Sequence, residues 1–137
     1  IKNTAIYLQK RSSEQIQFKL ELPNKEIQIP FNPQLISWTL ENLIKNAIDA
    51  MKGKGELSIL LKEEPTQVEI LISDNGSGMK KEIVSKIFKP GFTTKKRGWG
   101  LGLSLTKRIV EDFHSGKVSV LKTSLGYGTT FQLILNK

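Results

Sequence analysis

The pattern of apolar and polar positions divides the chain of 137 residues into short strands and two longer helices. From Gln15 to Leu22 the side chains alternate, which predicts a strand. Apolar positions recur at helical spacing from Pro33 to about Met51 and from Leu101 to Phe113, which predicts two amphipathic helices. Further short strands are predicted at 26–29, 56–62, 67–73, 117–122 and 129–135.

The order of these elements predicts the fold class, which is α+β. The strands are short, alternating and joined by hairpins, so we expect a two-layer α/β sandwich. Its sheet is predicted to be mixed, mostly antiparallel and covered on one face by the helices. The segment 79–100, with a short helix at Lys80–Phe88, is unusually long for a connection. Loops of this length are usually functional lids or disordered segments.

The first helix carries a polar strip opposite its apolar stripe. Asn32 is predicted to cap the helix with Pro33 in its first turn, and a glycine-rich stop follows Met51. The predicted core stripe is Leu40, Leu43, Ile44, Ala47, Ile48 and Met51. The polar strip holds Asn42, Asn46 and Asp49. Two amides and a carboxylate can supply oxygen ligands to Mg²⁺, and a solvated helix face is the alternative interpretation.

Two glycine clusters follow. The first, at 74–78, begins with Asp74 directly after a strand, where a carboxylate can accept a hydrogen bond from an exocyclic amine. The second, at 98–103, begins the second helix, and exposed N–H groups at a helix N-terminus bind anions. Thr93, Thr94 and the cations of 95–97 precede it, so a polyphosphate would fit. A plain turn and a hinge with solvated charges are the alternatives.

The composition is that of one globular domain, and the net charge of +8 raises a nucleic-acid partner as an alternative. The basic residues are spread along the chain, and their densest cluster at 95–97 lies in a glycine-rich stretch that suits a small phosphate ligand equally well. We therefore expect no nucleic-acid partner. The chain has no cysteine, which excludes disulfides and thiolate metal sites. It also has no apolar run near the roughly 20 residues of a membrane span, so we expect no membrane contact by this domain.

Taken together, five motifs between residues 15 and 135 closely resemble those of the Bergerat-fold ATPases, the superfamily of gyrase, heat-shock chaperone ATPases, mismatch-repair ATPases and histidine kinases. They resemble the N box (41–47), a first glycine box (74–78), the F box (88–95), a second glycine box (98–103) and a last one (126–131). The Thr-Thr-Lys of the F box and the Gly-x-Gly-Leu-Gly-Leu of the second glycine box are most similar to bacterial two-component sensor kinases. Trp99 departs from the Thr or Ser of many relatives.

The resemblance implies ATP and Mg²⁺ as ligands and a long ATP lid. It implies that Asn46 coordinates Mg²⁺ and that Asp74 binds the adenine amino group. The implied catalytic residues are Glu41, Asn46 and Lys95. The implied nucleotide-binding residues are Asn42, Asn46, Asp49, Asp74, Gly76, Gly78, Thr94, Lys95, Gly98, Gly100, Leu101, Gly102 and Thr129.

The resemblance also implies partners beyond this chain. Such kinases phosphorylate a histidine in a separate upstream domain, whereas His114, the only histidine here, is best interpreted as a helix-end residue. We expect residues 1–11 to be a remnant of the link to that dimerisation domain and 12–137 to be the catalytic domain, which does not phosphorylate itself efficiently. The implied partners are ATP or ADP, the dimerisation and histidine phosphotransfer domain and a response regulator.

The expected location is the cytoplasm, either of a soluble protein or of a membrane-anchored sensor. The alternatives are a serine kinase of the anti-sigma-factor type and a non-catalytic nucleotide-sensing module. The Thr-Thr-Lys of the F box argues against the first alternative. The presence of both Asn46 and Asp74 argues against the second.

Overall fold

The computed structural model of the chain describes Ile6 and residues 15–23, 29–89 and 102–137. The elements in chain order are β1 (Ile16–Glu21), α1 (Pro33–Met51), β2 (Gly55–Glu63), β3 (Gln67–Asp74), α2 (Lys81–Val84), α3 (Gly102–Arg108), a π-helical segment (Ile109–Phe113), β4 (Lys117–Ser124) and β5 (Gly128–Asn136). The predicted α+β class is therefore confirmed.

The five strands form one sheet in the order β1-β2-β3-β5-β4. β1 runs parallel to β2, and all the other neighbours are antiparallel, so the sheet is mixed and mostly antiparallel as predicted. β3 lies at the centre and ends at Asp74, which faces Leu57 on one neighbouring strand and Thr129 on the other. The last residue of the central strand is thereby held from both sides.

The core lies between one face of the sheet and the helices. Alternate residues of the strands are buried, which is the pattern of a sheet covered on one face. The apolar ones are Ile16, Leu57, Ile59, Val68, Ile70, Ile72, Val118, Phe131, Leu133 and Leu135. From α1, the core receives Ile36, Thr39, Leu40, Leu43, Ile44, Ala47 and Met51, whereas Ile48, predicted to be core, is only half-buried.

The ends of α1 follow the sequence signals closely. The side chain of Asn32 accepts a hydrogen bond from the backbone N–H of Leu35 at 3.1 Å, and Pro33 begins the helix as predicted. At the other end, Lys52 is the residue with left-handed backbone, at φ 54°, and Gly53 follows at φ 90°. The left-handed backbone that ends the helix therefore begins at Lys52, one residue before the first glycine of the predicted stop.

Two elements differ from their predicted extent by more than two residues at one end. The predicted helix at 80–88 is α-helical only at Lys81–Val84, because the N–H groups of Lys86 and Lys89 donate to carbonyls three residues earlier, which tightens the chain into turns. The second long helix becomes π-helical at Ile109. The predicted strand at 26–29 lies mostly outside the described residues, as do residues 1–5 and 7–14 and most of the predicted lid. Among the described residues, no helix is long and apolar enough to span a membrane.

Candidate functional site

The first part of the site is Asp74, at the end of the central strand. Its Oδ1 accepts a hydrogen bond from the N–H of Gly76 at 2.8 Å. Burial raises the pKa of this half-buried carboxyl group, while hydrogen bonds from the N–H groups of Gly76 and Thr129 act to lower it. These contacts fix a carboxylate where the strand ends, and such a group can accept a hydrogen bond from an exocyclic amine.

Gly76 and Gly78 are fixed by close backbone packing. A Cβ atom on Gly76 would collide with the carbonyl oxygen of Ala50, the same oxygen to which the N–H of Ser77 donates at 3.0 Å. Gly78 has a φ of +68°, and a Cβ atom there would collide with the carbonyl oxygen of Ser124. The first glycine box therefore lies between the end of α1 and the β4–β5 hairpin. This packing requires glycine at both positions without reference to any ligand.

Thr123 joins the same turn to the hairpin, although none of the five sequence motifs includes it. Its hydroxyl accepts from the N–H of Met79 at 3.0 Å and lies 2.8 Å from the hydroxyl of Thr129. The side chain of Thr129, one of the implied nucleotide-binding residues, is buried and bonded to Thr123. A threonine in an alternating strand gives no local signal for such a contact.

The polar strip of α1 forms the second part of the site. Asn42 and Asn46 are half-buried and Asp49 is exposed. Glu41 forms an ion pair with Lys45, with 2.8 Å between its Oε1 and the lysine Nζ. In the described part of the chain no three His, Asp or Glu side chains gather around a possible metal position. Amide and carboxylate oxygens of the strip, completed by water, fit Mg²⁺, which retains several waters when bound.

Asn42 also ties α1 to α3. Its Nδ2 donates to the Thr106 hydroxyl at 3.0 Å, and that hydroxyl donates to the carbonyl oxygen of Gly102 at 2.8 Å. A Cβ atom on Gly102 would lie 2.8 Å from the Oδ1 of Asn42, so the two residues are in close contact. The structure thus brings the N box against the end of the second glycine box. The other predicted lid residues, Thr94, Lys95, Gly98, Gly100 and Leu101, lie outside the described residues.

The two parts of the site share one helix. The Asp74 turn rests on Ala50 near the end of α1, and Gly102 rests on Asn42 eight residues earlier. At the rise of an α-helix this separation is about 12 Å along the axis. α1 is therefore the common support for both glycine boxes.

Two further contacts surround this arrangement. The Phe88 ring of the F box packs edge-on against Phe131, with 6.4 Å between ring centroids. His114 accepts from the N–H of Asn32 through Nε2 at 3.0 Å, so its Nδ1 carries the proton and donates to the carbonyl oxygen of Ile109 at 2.8 Å. His114 thus joins the start of α1 to the π-helical segment, which supports its interpretation as a helix-end residue.

Comparison with known proteins matches this arrangement to one family. The family profile of histidine kinase-, DNA gyrase B- and HSP90-like ATPases matches residues 32–137. The signal transduction histidine-protein kinase AtoS of Escherichia coli (strain K12) is 39% identical over 121 residues, which are 88% of this chain and 20% of AtoS. The sensor histidine kinase ZraS of the same organism is 35% identical over 127 residues, which are 93% of this chain and 27% of ZraS.

Solved structures agree with the sequence relatives. The nucleotide-free catalytic domain of histidine kinase ThkA has a TM-score of 0.89 at 30% identity, covering 99% of this chain and 90% of that one. Histidine kinase ThkA in complex with the response regulator protein TrrA has a TM-score of 0.83 at 28% identity, covering 99% of this chain and 39% of that one.

The chain therefore belongs to the family of histidine kinase-, DNA gyrase B- and HSP90-like ATPases. Within that family it is an ATP-binding catalytic domain of the sensor histidine kinase type. The chain spans less than a third of the length of AtoS and of ZraS.

Proposed function

We propose that this chain binds Mg²⁺–ATP and transfers its γ-phosphoryl group to a histidine on a separate dimerisation domain. The observation that carries the proposal is the support of both glycine boxes by α1. The Asp74 turn lies against the C-terminal end of this helix. Asn42, which contacts Gly102, lies on the same helix about 12 Å closer to its N-terminus. A base bound at Asp74 would direct its phosphates along α1 toward the polar strip.

The proposed adenine end consists of Asp74, Gly76, Gly78 and Thr129. The Asp74 carboxylate accepts a hydrogen bond from the adenine amino group, and the two glycines flank the base. Support for this comes from the two backbone N–H groups that hold the carboxylate at the strand end. Thr129 contributes through water, because its own hydroxyl is bonded to Thr123.

The proposed phosphate end consists of the α1 strip and the lid. Asn46 is the metal ligand, Asn42 lies beside the phosphates, and Asp49 adds a carboxylate to the strip. Bound Mg²⁺ supplies neutralisation of the phosphate charge. The lid residues of this end are Thr94, Lys95, Gly98, Gly100, Leu101 and Gly102.

The proposed chemistry is mainly positioning and charge neutralisation, as is usual for phosphoryl transfer. A nitrogen of the partner's histidine attacks the γ-phosphorus, the bond from that phosphorus to the bridging oxygen breaks, and ADP leaves. Glu41 polarises the attacking imidazole. The phosphoryl group then passes to a response regulator. Residues 1–11 link this domain, 12–137, to the dimerisation domain, and the transfer takes place in the cytoplasm.

The test is a transfer assay with γ-labelled ATP and the dimerisation domain of the parent protein. We expect label on that domain in a form that is labile to acid and stable to alkali, as a phosphohistidine is. A variant of the acceptor that lacks its histidine and an Asn46→Ala variant of this chain are the controls. Acid-stable label on a serine would indicate the serine kinase alternative. Binding of ATP with no transfer would indicate the nucleotide-sensing alternative.

A further inference from the structure

Thr106 has a place in this site that the sequence motifs do not give it. We propose that Thr106 is a positioning residue that sets the orientation of the Asn42 side-chain amide. The proposal rests on the proposed function, because Asn42 lies beside the phosphates in that account. Thr106 itself acts only through Asn42.

The hydrogen-bond directions fix which end of the amide faces Thr106. The carbonyl oxygen of Gly102 can only accept, so the single hydroxyl proton of Thr106 points to it over 2.8 Å. That hydroxyl must then accept from Asn42, and the group that it faces at 3.0 Å must be the NH₂. The amide oxygen is consequently the end of the amide nearest to the Cβ position of Gly102, at 2.8 Å against 3.1 Å for the nitrogen.

Burial makes this arrangement difficult to replace. Thr106 is a fully buried residue of α3 bonded to α1, so in Thr106→Val a methyl group fills the place of the hydroxyl and leaves no room there for a water molecule. Without that hydroxyl the Asn42 NH₂ loses its acceptor and the amide can rotate, which exchanges the oxygen and the nitrogen presented to a ligand. Gly102 limits the alternatives, because the position of a Cβ atom on Gly102 lies only 2.8 Å from the amide oxygen and 3.1 Å from the amide nitrogen.

The same hydroxyl joins two of the motifs. It accepts from the N box through Asn42 and donates to Gly102, the last glycine of the second glycine box. The position of α3 and the orientation of the N-box amide are therefore coupled through one oxygen atom.

Thr39 provides a matched control on the same helix as Asn42. It is also fully buried, and it precedes Asn42 by three residues on α1. Its hydroxyl has no hydrogen-bond partner among the described residues. Thr39→Val therefore removes a buried hydroxyl that makes no bond, whereas Thr106→Val removes one that makes two.

The experiment compares Thr106→Val, Thr106→Ser and Thr39→Val with the unaltered chain. Calorimetric titration with a β,γ-imido analogue of ATP and Mg²⁺ gives the affinity, and the side-chain amide resonances of Asn42, identified by their loss in Asn42→Ala, report its orientation. We expect Thr106→Val to weaken binding about tenfold and Thr106→Ser to restore it to within about twofold. Thr39→Val should bind as the unaltered chain does.

A double-mutant cycle separates positioning from general packing. In an Asn42→Ala background, Thr106→Val should cause no further loss of affinity, because the amide that it positions is absent. In the ligand-free chain, Thr106→Val should shift the Asn42 amide resonances and Thr39→Val should not. If Thr106→Val does not fold, Thr106→Ala allows the same comparison without added bulk.

The proposal is overturned if Thr106→Val binds as tightly as Thr39→Val and leaves the Asn42 amide resonances in place. It is equally overturned if Thr106→Val weakens binding as much in the Asn42→Ala background as in the unaltered chain. If the unaltered chain binds no analogue, the proposed function fails, and the ligand-free amide resonances still decide whether Thr106 orients Asn42.

Discussion

The two ends of the site are held in place by different parts of the chain. At the Asp74 end, backbone meets backbone: Gly76 lies against Ala50, and Gly78 lies against Ser124 with left-handed dihedral angles. At the Asn42 end, one side-chain hydrogen bond joins the two helices, from Asn42 to Thr106, and Thr106 donates in turn to Gly102 of its own helix. The first arrangement depends on the fold, and the second depends on a few polar atoms.

This difference predicts how substitutions act. A change at the Asp74 turn that adds a Cβ atom must move a strand or a helix end, so it reduces the free energy of unfolding. A change on the polar strip of α1 removes atoms from a half-exposed surface, so it reduces ligand affinity with little effect on stability.

The largest expected effect is that of Gly78→Ala. Its Cβ atom would collide with the carbonyl oxygen of Ser124, and the backbone is left-handed, so the free energy of unfolding should fall by roughly 3 kcal/mol or more. Gly126→Ala is the control, because Gly126 is also left-handed but has open space around it, and about 1 kcal/mol is expected. Urea unfolding measures both. Equal losses of stability in the two variants would show that the cost at Gly78 comes from its left-handed backbone alone and not from a collision with Ser124.

The next effect is on binding. Asn46→Ala should leave the free energy of unfolding within about 1 kcal/mol of that of the unaltered chain. It should weaken binding of the ATP analogue about tenfold, and only when Mg²⁺ is present. Calorimetric titration with and without Mg²⁺ measures this. A loss of the same size without Mg²⁺ would contradict the metal role of Asn46.

Thr39→Val is expected to change the free energy of unfolding by a smaller amount. A buried hydroxyl that makes no hydrogen bond is less favourable than a methyl group of the same shape, so the substitution should raise the free energy of unfolding by about 1 kcal/mol. Thermal and urea unfolding check the sign. A loss of stability would mean that the hydroxyl has a partner, such as a buried water.

The smallest effect concerns pH. Burial raises the pKa of Asp74 in the folded chain, so the stability that this group contributes is complete below its ordinary pKa of 3.8 and is lost as pH rises through the raised value. Relative to Asp74→Asn, the unaltered chain should therefore lose stability as pH rises, by less than about 1 kcal/mol because water screens a half-exposed carboxyl group. Unfolding of both proteins in a pH series measures the difference. A relative gain with rising pH would show that the two N–H donors outweigh burial.

Much of the fold followed from local sequence patterns. The alternation of 67–73 and the signals around Asn32 and Pro33 predicted a strand and a helix to within one residue, because strand alternation and helix caps are set by neighbouring residues. The helix predicted at 80–88 was too long, because its later N–H groups bond three residues back instead of four.

The contacts that hold the site in place could not be predicted from local sequence patterns in the same way. The motifs indicated Asn42, Asp74 and the glycines, but Asn42 meets Thr106 across 64 residues of sequence. No local pattern encodes such a contact. A threonine among the apolar positions of the second helix was the one available signal, and it does not indicate which residue the threonine contacts.

The measurement that tests the central claim most directly is calorimetric titration of the folded chain and of Asp74→Asn with the ATP analogue and Mg²⁺. The Asn side chain has an oxygen that can keep the hydrogen bond to Gly76, so the variant should remain folded. We expect the unaltered chain to bind the adenine nucleotide and not its guanine counterpart, and the variant to bind at least tenfold more weakly. Equal affinity of the two proteins, or no binding by a folded unaltered chain, would contradict a nucleotide site organised around Asp74 and α1.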